Sequence, residues 1–143
     1  MSRQAHTLVV GGDSDSRLLL HDALQADGYL VRSAINGEEA LSTLQQDAVD
    51  LVFTDSALPG MNGLTFLEAT RQLPSPPGII FVTAYENIDD AVKAVKRGAL
   101  CYITKPLARD RLLHLTRKAL EEIRLRQENE ELRRELERRY TYK

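Results

Sequence analysis

The sequence predicts an α/β fold, a doubly wound five-stranded parallel sheet with an extended C-terminal helix. Three observations carry this. Short runs of β-branched and aromatic residues recur, of the kind that suits strands buried on both faces. Between them lie apolar stripes at 3–4 spacing, the mark of amphipathic helices. The two kinds of segment alternate, and βαβ alternation gives a parallel sheet with helices on each side.

The elements follow in order. Thr7-Leu8-Val9-Val10 is the first strand. Leu18, Leu19, Asp22, Ala23 and Ala26 form the stripe of the first helix, which ends before Gly28. A weaker run, Tyr29-Leu30-Val31 continuing to Ile35, is the second strand. Asn36-Gly37 opens a short helix carrying Ala40, Leu41 and Leu44. Leu51-Val52-Phe53 is the third strand, and Leu64, Leu67 and Ala69 mark a helix after Gly63. Pro74-Ser75-Pro76-Pro77-Gly78 is the clearest loop and leads into the fourth strand, Ile79-Ile80-Phe81-Val82. Ile88, Ala91, Val92 and Val95 form the fourth stripe, stopped by Gly98, which fits a helix C-cap. Leu100-Cys101-Tyr102-Ile103 is the fifth strand.

The last segment differs. From 107 to 143 there is neither Gly nor Pro, and the 33 residues 107–139 are expected to form one helix. At a helical rise that is ~50 Å, about twice what covering a sheet requires. Between 121 and 139, 13 of 19 residues are charged, so the outer part is not a core helix. Leu125, Asn129, Leu132 and Leu136 are spaced 4, 3 and 4. That is a heptad seam, with Leu125 and Leu132 at d and Asn129 and Leu136 at a. An Asn at a fixes register and favours two parallel strands. The seam predicts a homodimer. The alternative is a solvated single helix laced by i,i+4 pairs such as Glu130 with Arg134. The expected organisation is one domain over 5–120 and a helical coiled-coil linker over 121–143.

Composition narrows the function classes. A length of 143 residues suffices for one domain with a real core. Nineteen basic against 21 acidic residues, a net charge of -2, is not the basic excess of a nucleic-acid clamp. No direct nucleic-acid contact is expected from this segment. The single Cys101 excludes an intramolecular disulfide and a multi-Cys metal site. No apolar run is long enough to span a membrane and no leader pattern follows Met1, so a soluble cytoplasmic protein, with no membrane contact, is expected.

In open α/β sheets ligands bind beyond the carboxyl ends of the strands. Gly11, Gly12 and Asp13 follow the first strand, Thr54 and Asp55 end the third, Thr83 ends the fourth, and Thr104, Lys105 and Pro106 follow the fifth. A carboxylate, a hydroxyl and an ammonium should therefore converge at one edge. Lys neutralises an anion and Thr hydrogen-bonds it. An Asp carboxylate can act as a nucleophile that forms an acyl phosphate, a transfer that needs positive charge on the non-bridging oxygens. Each residue also has a plain structural reading: Asp as a turn residue, Thr83 as a helix cap, Lys105 as a solvated lysine. Their arrival together at strand ends favours a site.

These residues carry a resemblance. Leu51-Val-Phe-Thr-Asp55 with Leu58-Pro-Gly-Met-Asn-Gly63 resembles the phosphoacceptor region of response-regulator receiver domains. Val82-Thr-Ala-Tyr85 and Tyr102-Ile-Thr-Lys-Pro106 resemble the ends of their fourth and fifth strands, and Gly28-Tyr29 and Asn36-Gly37-Glu38-Glu39-Ala40-Leu41 also fit. The likeness covers about residues 5 to 120 and implies the flavodoxin-like receiver fold. It implies that Asp55 accepts phosphate, that Thr83 and Lys105 contact it, and that Thr83 and Tyr102 form the switch. It also implies a cis Lys105–Pro106 peptide and an Mg²⁺ ion held by Asp55 and the Ala57 carbonyl. Receivers usually carry an acidic pair after the first strand, then a third acid. Gly11 and Gly12 stand at the pair here and only Asp13 matches. Mg²⁺, a hard cation that prefers carboxylate oxygen, is therefore expected to bind weakly, with Asp13 a doubtful ligand. Asn62, where Asp is common, and Cys101, where acids are frequent, are smaller departures.

Thr83-Ala-Tyr85, Ile88, Ala91-Val92 and Lys96-Arg-Gly-Ala99, with the Gln127–Tyr140 tail, resemble nitrogen-regulation-type activators of sigma-54 RNA polymerase. That likeness implies a sensor histidine kinase as partner and an AAA+ ATPase domain in the same longer chain. No G-x-x-x-x-G-K-[ST] occurs, so this segment is not expected to be an enzyme. Two functions stand: a phosphorylated receiver using Asp55, and a degenerate receiver acting as a phosphorylation-independent dimerisation and interaction module. A metal-dependent phosphatase is weaker still, because Ala57 stands where its acid–base aspartate should be.

Overall fold

The computed structural model describes residues 4–140. Strands β1 (His6–Val10), β2 (Leu30–Ala34), β3 (Leu51–Asp55), β4 (Gly78–Thr83) and β5 (Cys101–Thr104) alternate with helices α1 (Ser14–Ala26), α2 (Gly37–Gln46), α3 (Gly63–Thr70), α4 (Ile88–Lys96) and α5 (Arg109–Tyr140). The sheet is parallel throughout, in the order β2-β1-β3-β4-β5. A 3-10 turn, Tyr85–Asn87, precedes α4.

Strand alternation divides the core in two. Leu8, Val10, Val52, Ile79 and Phe81 pack against α2, α3 and α4 through Ala40, Phe66, Leu67, Ala91 and Ala94. Val9, Leu51, Phe53, Ile80, Val82 and Ile103 pack against α1 and α5 through Leu20, Ala23, Leu24, Leu112 and Ala119. Each of the three central strands therefore buries both faces, which is why their sequences read as unbroken apolar runs. β2, at the edge, is largely exposed, and its run is accordingly weaker.

Local chemistry sets the helix ends. Asp13, Asn36 and Asn62 cap α1, α2 and α3 by accepting the N–H groups of Ser16, Glu39 and Thr65. α4 ends in a Schellman motif: Gly98, at φ +120°, gives its N–H to Val95 and the next N–H, of Ala99, goes to Ala94. The role expected of Gly98 is the observed one.

Three expectations need correction. The inward face of α1 is Leu20, Ala23 and Leu24, while Leu18 is 68% exposed. Three consecutive leucines at 18–20 leave the helical phase undetermined by hydrophobicity; Leu20 is the one that turns inward, in line with Ala23 and Leu24. In α4 the buried residues are Ala91 and Ala94, whereas Val92 and Val95 face outward. Only alanines fit where this helix lies close to β4 and β5, so the apparent valine stripe is surface. The last helix starts at Arg109 rather than at 107 and runs through Tyr140, because Leu107 lies in the turn after Pro106.

Candidate functional site

The carboxyl ends of β1, β3, β4 and β5 bring the expected residues to one edge. Asp55 ends β3 beside β1 and β4. Lys105, one residue past β5, sends Nζ to 2.8 Å from Asp55 Oδ2 and 2.9 Å from Asp13 Oδ1. Its backbone N–H donates to the Thr83 carbonyl at 2.8 Å, which fixes the lysine's approach. Asp13 thus has two tasks, capping α1 with Oδ2 and pairing Lys105 with Oδ1. The Lys105–Pro106 peptide is cis.

Charge follows from this geometry. The Lys105 ammonium, with the Ser16 N–H, holds the Asp13 carboxyl well below the usual carboxylate range. Burial works against the charge on Lys105, but the hydrogen bonds it donates to the carboxylates of Asp55 and Asp13 outweigh it and raise its pKa.

Thr83 lies behind the acceptor. Fully buried, its hydroxyl accepts from Ser56 Oγ at 3.0 Å and donates to the Ala84 carbonyl at 3.2 Å. That hydroxyl bonds neither Asp55 nor Lys105, and Thr83 caps no helix. Tyr102 is half-buried on β5, packed against the α2–α4 side of the core. Ala57 meets Asp55 through its amide, which donates to Asp55 Oδ1 at 3.2 Å. Sequence reasoning missed Ser56, because a serine after an aspartate carries no pattern; only the fold shows it facing Thr83. An open cleft of about 530 Å³ flanks Lys105, lined by Asp13, Asp15, Ser16, Leu19 and Tyr85 among others.

The positions usual for an acidic pair are held by glycines in the left-handed region, Gly11 at φ +64° and Gly12 at φ +86°. A Cβ on Gly11 would stand 2.4 Å from Leu58 Cδ2, and one on Gly12 would meet Asp55 Oδ2 at 3.7 Å. An octahedral hard cation needs several oxygen ligands. Asp55 and Asp13 are the carboxylates paired with Lys105, and all four of their oxygens already accept hydrogen bonds. Among the described residues no group of three or more His, Cys, Asp or Glu could hold a metal ion. These residues do not fit Mg²⁺.

The leucine seam lies far from this edge. Leu125, Leu132 and Leu136 are 52%, 61% and 52% exposed, and nothing beyond Ile123 on α5 is even half-buried. Glu130 and Arg134 do approach, at 3.7 Å. No helix among the described residues is long and apolar enough to cross a membrane.

Comparison with known proteins agrees with this architecture. The chain is 36% identical over 137 residues to the C4-dicarboxylate transport transcriptional regulatory protein DctD of Rhizobium meliloti, covering 96% of this chain and 30% of that protein. It is 37% identical over 128 residues to the nitrogen assimilation regulatory protein NtrX of Azorhizobium caulinodans, covering 87% and 28%. The crystal structure of NtrX from Brucella abortus in complex with ATP superposes with a TM-score of 0.84 at 34% identity, covering 91% of this chain and 30% of that one. The chain thus spans less than a third of the length of these relatives. The response regulator receiver domain model matches residues 7–117, and by that match and these relatives the chain belongs to the response regulator receiver family.

Proposed function

We propose that this chain is the phosphoryl-accepting switch of a longer transcriptional activator, with Asp55 as acceptor. The observation that carries the reading is the ammonium of Lys105 at 2.8 Å from Asp55 Oδ2. A carboxylate oxygen of Asp55 attacks the phosphorus of an activated donor, and the donor's own bond to phosphorus breaks with its electron pair. The product is an acyl phosphate, whose added negative charge Lys105 offsets. Thr83 follows as the switch: its hydroxyl leaves Ser56 and turns to the phosphoryl oxygens, and Tyr102 repacks behind it. Such a move shifts a two-state equilibrium by its differential contacts in the two states.

Partners follow from the relatives, which are transcriptional regulators more than three times as long. A sensor histidine kinase is the proposed donor, in the cytoplasm, and an AAA+ ATPase domain of a sigma-54-type activator the proposed output. Residues 5–120 form the receiver and 121–143 the linker, whose last three residues lie outside the described ones. Two copies pair in parallel through Leu125, Asn129, Leu132 and Leu136. Charges beside that seam support this: Glu121 and Glu128 occupy g positions, and Arg126 and Arg133 occupy the e positions five residues on. In a parallel in-register pair each glutamate faces an arginine of the second copy, whereas an antiparallel pair sets like charges together.

The test is intact mass after incubation with acetyl phosphate, with Asp55→Ala alongside. A phosphoryl adduct is expected on the native chain and absent from the variant. No adduct, under conditions that load a standard receiver, would favour the second reading, a phosphorylation-independent dimerisation and interaction module. Gly11 and Gly12 are the observation on that side.

A further inference from the structure

The charge at the strand ends is closed without a metal. Lys105 Nζ sits between two carboxylates, 2.8 Å from Asp55 and 2.9 Å from Asp13. The outer oxygens are engaged as well, Asp55 Oδ1 by the Ala57 N–H and Asp13 Oδ2 by the Ser16 N–H. The backbone at Gly11 and Gly12 follows a course that strains any L side chain, and a methyl of Leu58 fills the space beside Gly11. A divalent cation would need both to displace the ammonium and to find ligands that these residues do not offer.

We propose that Lys105 takes the place of the divalent cation in this site, with Asp13 as a second anion that shares its ammonium with Asp55. The inference rests on reading Asp55, Asp13 and Lys105 as one switch site, and it reverses the role of Asp13. As a metal ligand, Asp13 would promote phosphoryl transfer. As the second anion on Lys105, it competes with the incoming phosphoryl group for the Lys105 ammonium and repels it. Asparagine caps helices as well as aspartate does, so Asp13→Asn removes the charge and leaves α1 capped.

The first experiment titrates Mn²⁺ alone into the ¹⁵N-labelled chain and follows paramagnetic broadening. No saturable broadening is expected at residues 11–13 and 55–57 up to ~10 mM, beyond the range of ordinary carboxylate cation sites. Lys105→Met, or Lys105→Gln if the first gives no folded spectrum, leaves two unpaired carboxylates. It is expected to show saturable broadening at those residues, at least about tenfold tighter than in the native chain. A native site that saturates within that range overturns the proposal, as does a Lys105 variant that binds no more tightly. The second experiment measures acetyl phosphate loading with a chelator present. Asp13→Asn is expected to load several-fold faster than the native chain, and slower loading overturns the role given to Asp13. A chain that takes no phosphate at all defeats the acceptor reading but leaves the Mn²⁺ result to decide the cation, so the two failures are distinguishable.

Discussion

At the scale of single residues, two glycines and two hydroxyls set what the site can do. Gly12 has open space around its absent Cβ, the nearest neighbour being Asp55 Oδ2 at 3.7 Å. Its constraint is therefore backbone strain alone, and Gly12→Ala is expected to lower unfolding free energy by about 1–2 kcal/mol. Gly11→Ala should cost more, because Leu58 must also move. Urea midpoints measure both, and a Gly12→Ala chain as stable as the native one contradicts the left-handed backbone. The buried Ser56–Thr83 pair makes a different case. Thr83→Val leaves the Ser56 hydroxyl without its acceptor, at a cost of about 1–3 kcal/mol. Adding Ser56→Ala should recover much of that, and a double-mutant cycle with no coupling would show that the pair does not interact. Asp55, Thr83 and Lys105 were legible from sequence because each stands at a strand end, where topology gathers side chains. That Lys105 would also meet Asp13 was not legible, since it depends on how α1 leaves β1 through two glycines.

At the scale of elements, α5 does two unlike jobs. Its first three turns are core: Leu112, Thr116 and Ala119 are buried against the sheet and α1. Arg117 ties this part to the end of α1 through a two-pronged bond to Asp27, at 3.0 and 2.7 Å. The Arg117 guanidinium holds the Asp27 carboxyl below its ordinary value of 3.8. A depressed folded pKa means that the pairing stabilises fully above the unfolded value and is lost as pH falls through the folded one. Carboxyl titration by NMR should place the Asp27 midpoint below 3.8 in the native chain and closer to it in Arg117→Met; identical midpoints would remove the tie. The outer turns carry the seam. Leu132→Lys is expected to convert a dimer to a monomer by light scattering while leaving the monomer's melting unchanged, because Leu132 is 61% exposed. A dimer that persists would move the interface elsewhere, the exposed Val92 and Val95 of α4 being the next apolar face. The helices' existence could be read from periodicity. Their facing in α1 and α4 could not: three consecutive leucines leave the phase of α1 open, and in α4 the buried positions are alanines rather than the larger valines.

At the scale of the whole molecule, the parallel sheet was legible because buried central strands leave an apolar run that nothing else in the chain imitates. The end of the globular core left a different mark, the run of charge that begins at 121 inside an otherwise unbroken helical segment. The structure places that point at Ile123, the last residue of α5 packed on the core. Removing 125–143 takes away no buried residue among those described, so the shortened chain should fold with a melting temperature within ~2 °C of the native monomer. It should differ in one respect. Binding that exists only in the folded state makes melting depend on protein concentration. The native chain is expected to melt higher as concentration rises, and the shortened chain to melt at one temperature throughout. Equal concentration dependence in both would mean that the pairing surface lies on the domain, and the outer helix would then be a solvated arm. Cutting before Arg109 instead removes Leu112, whose replacement by Ala alone should cost about 2–5 kcal/mol. That shorter chain is expected not to fold, which separates the helix that completes the core from the helix that extends beyond it.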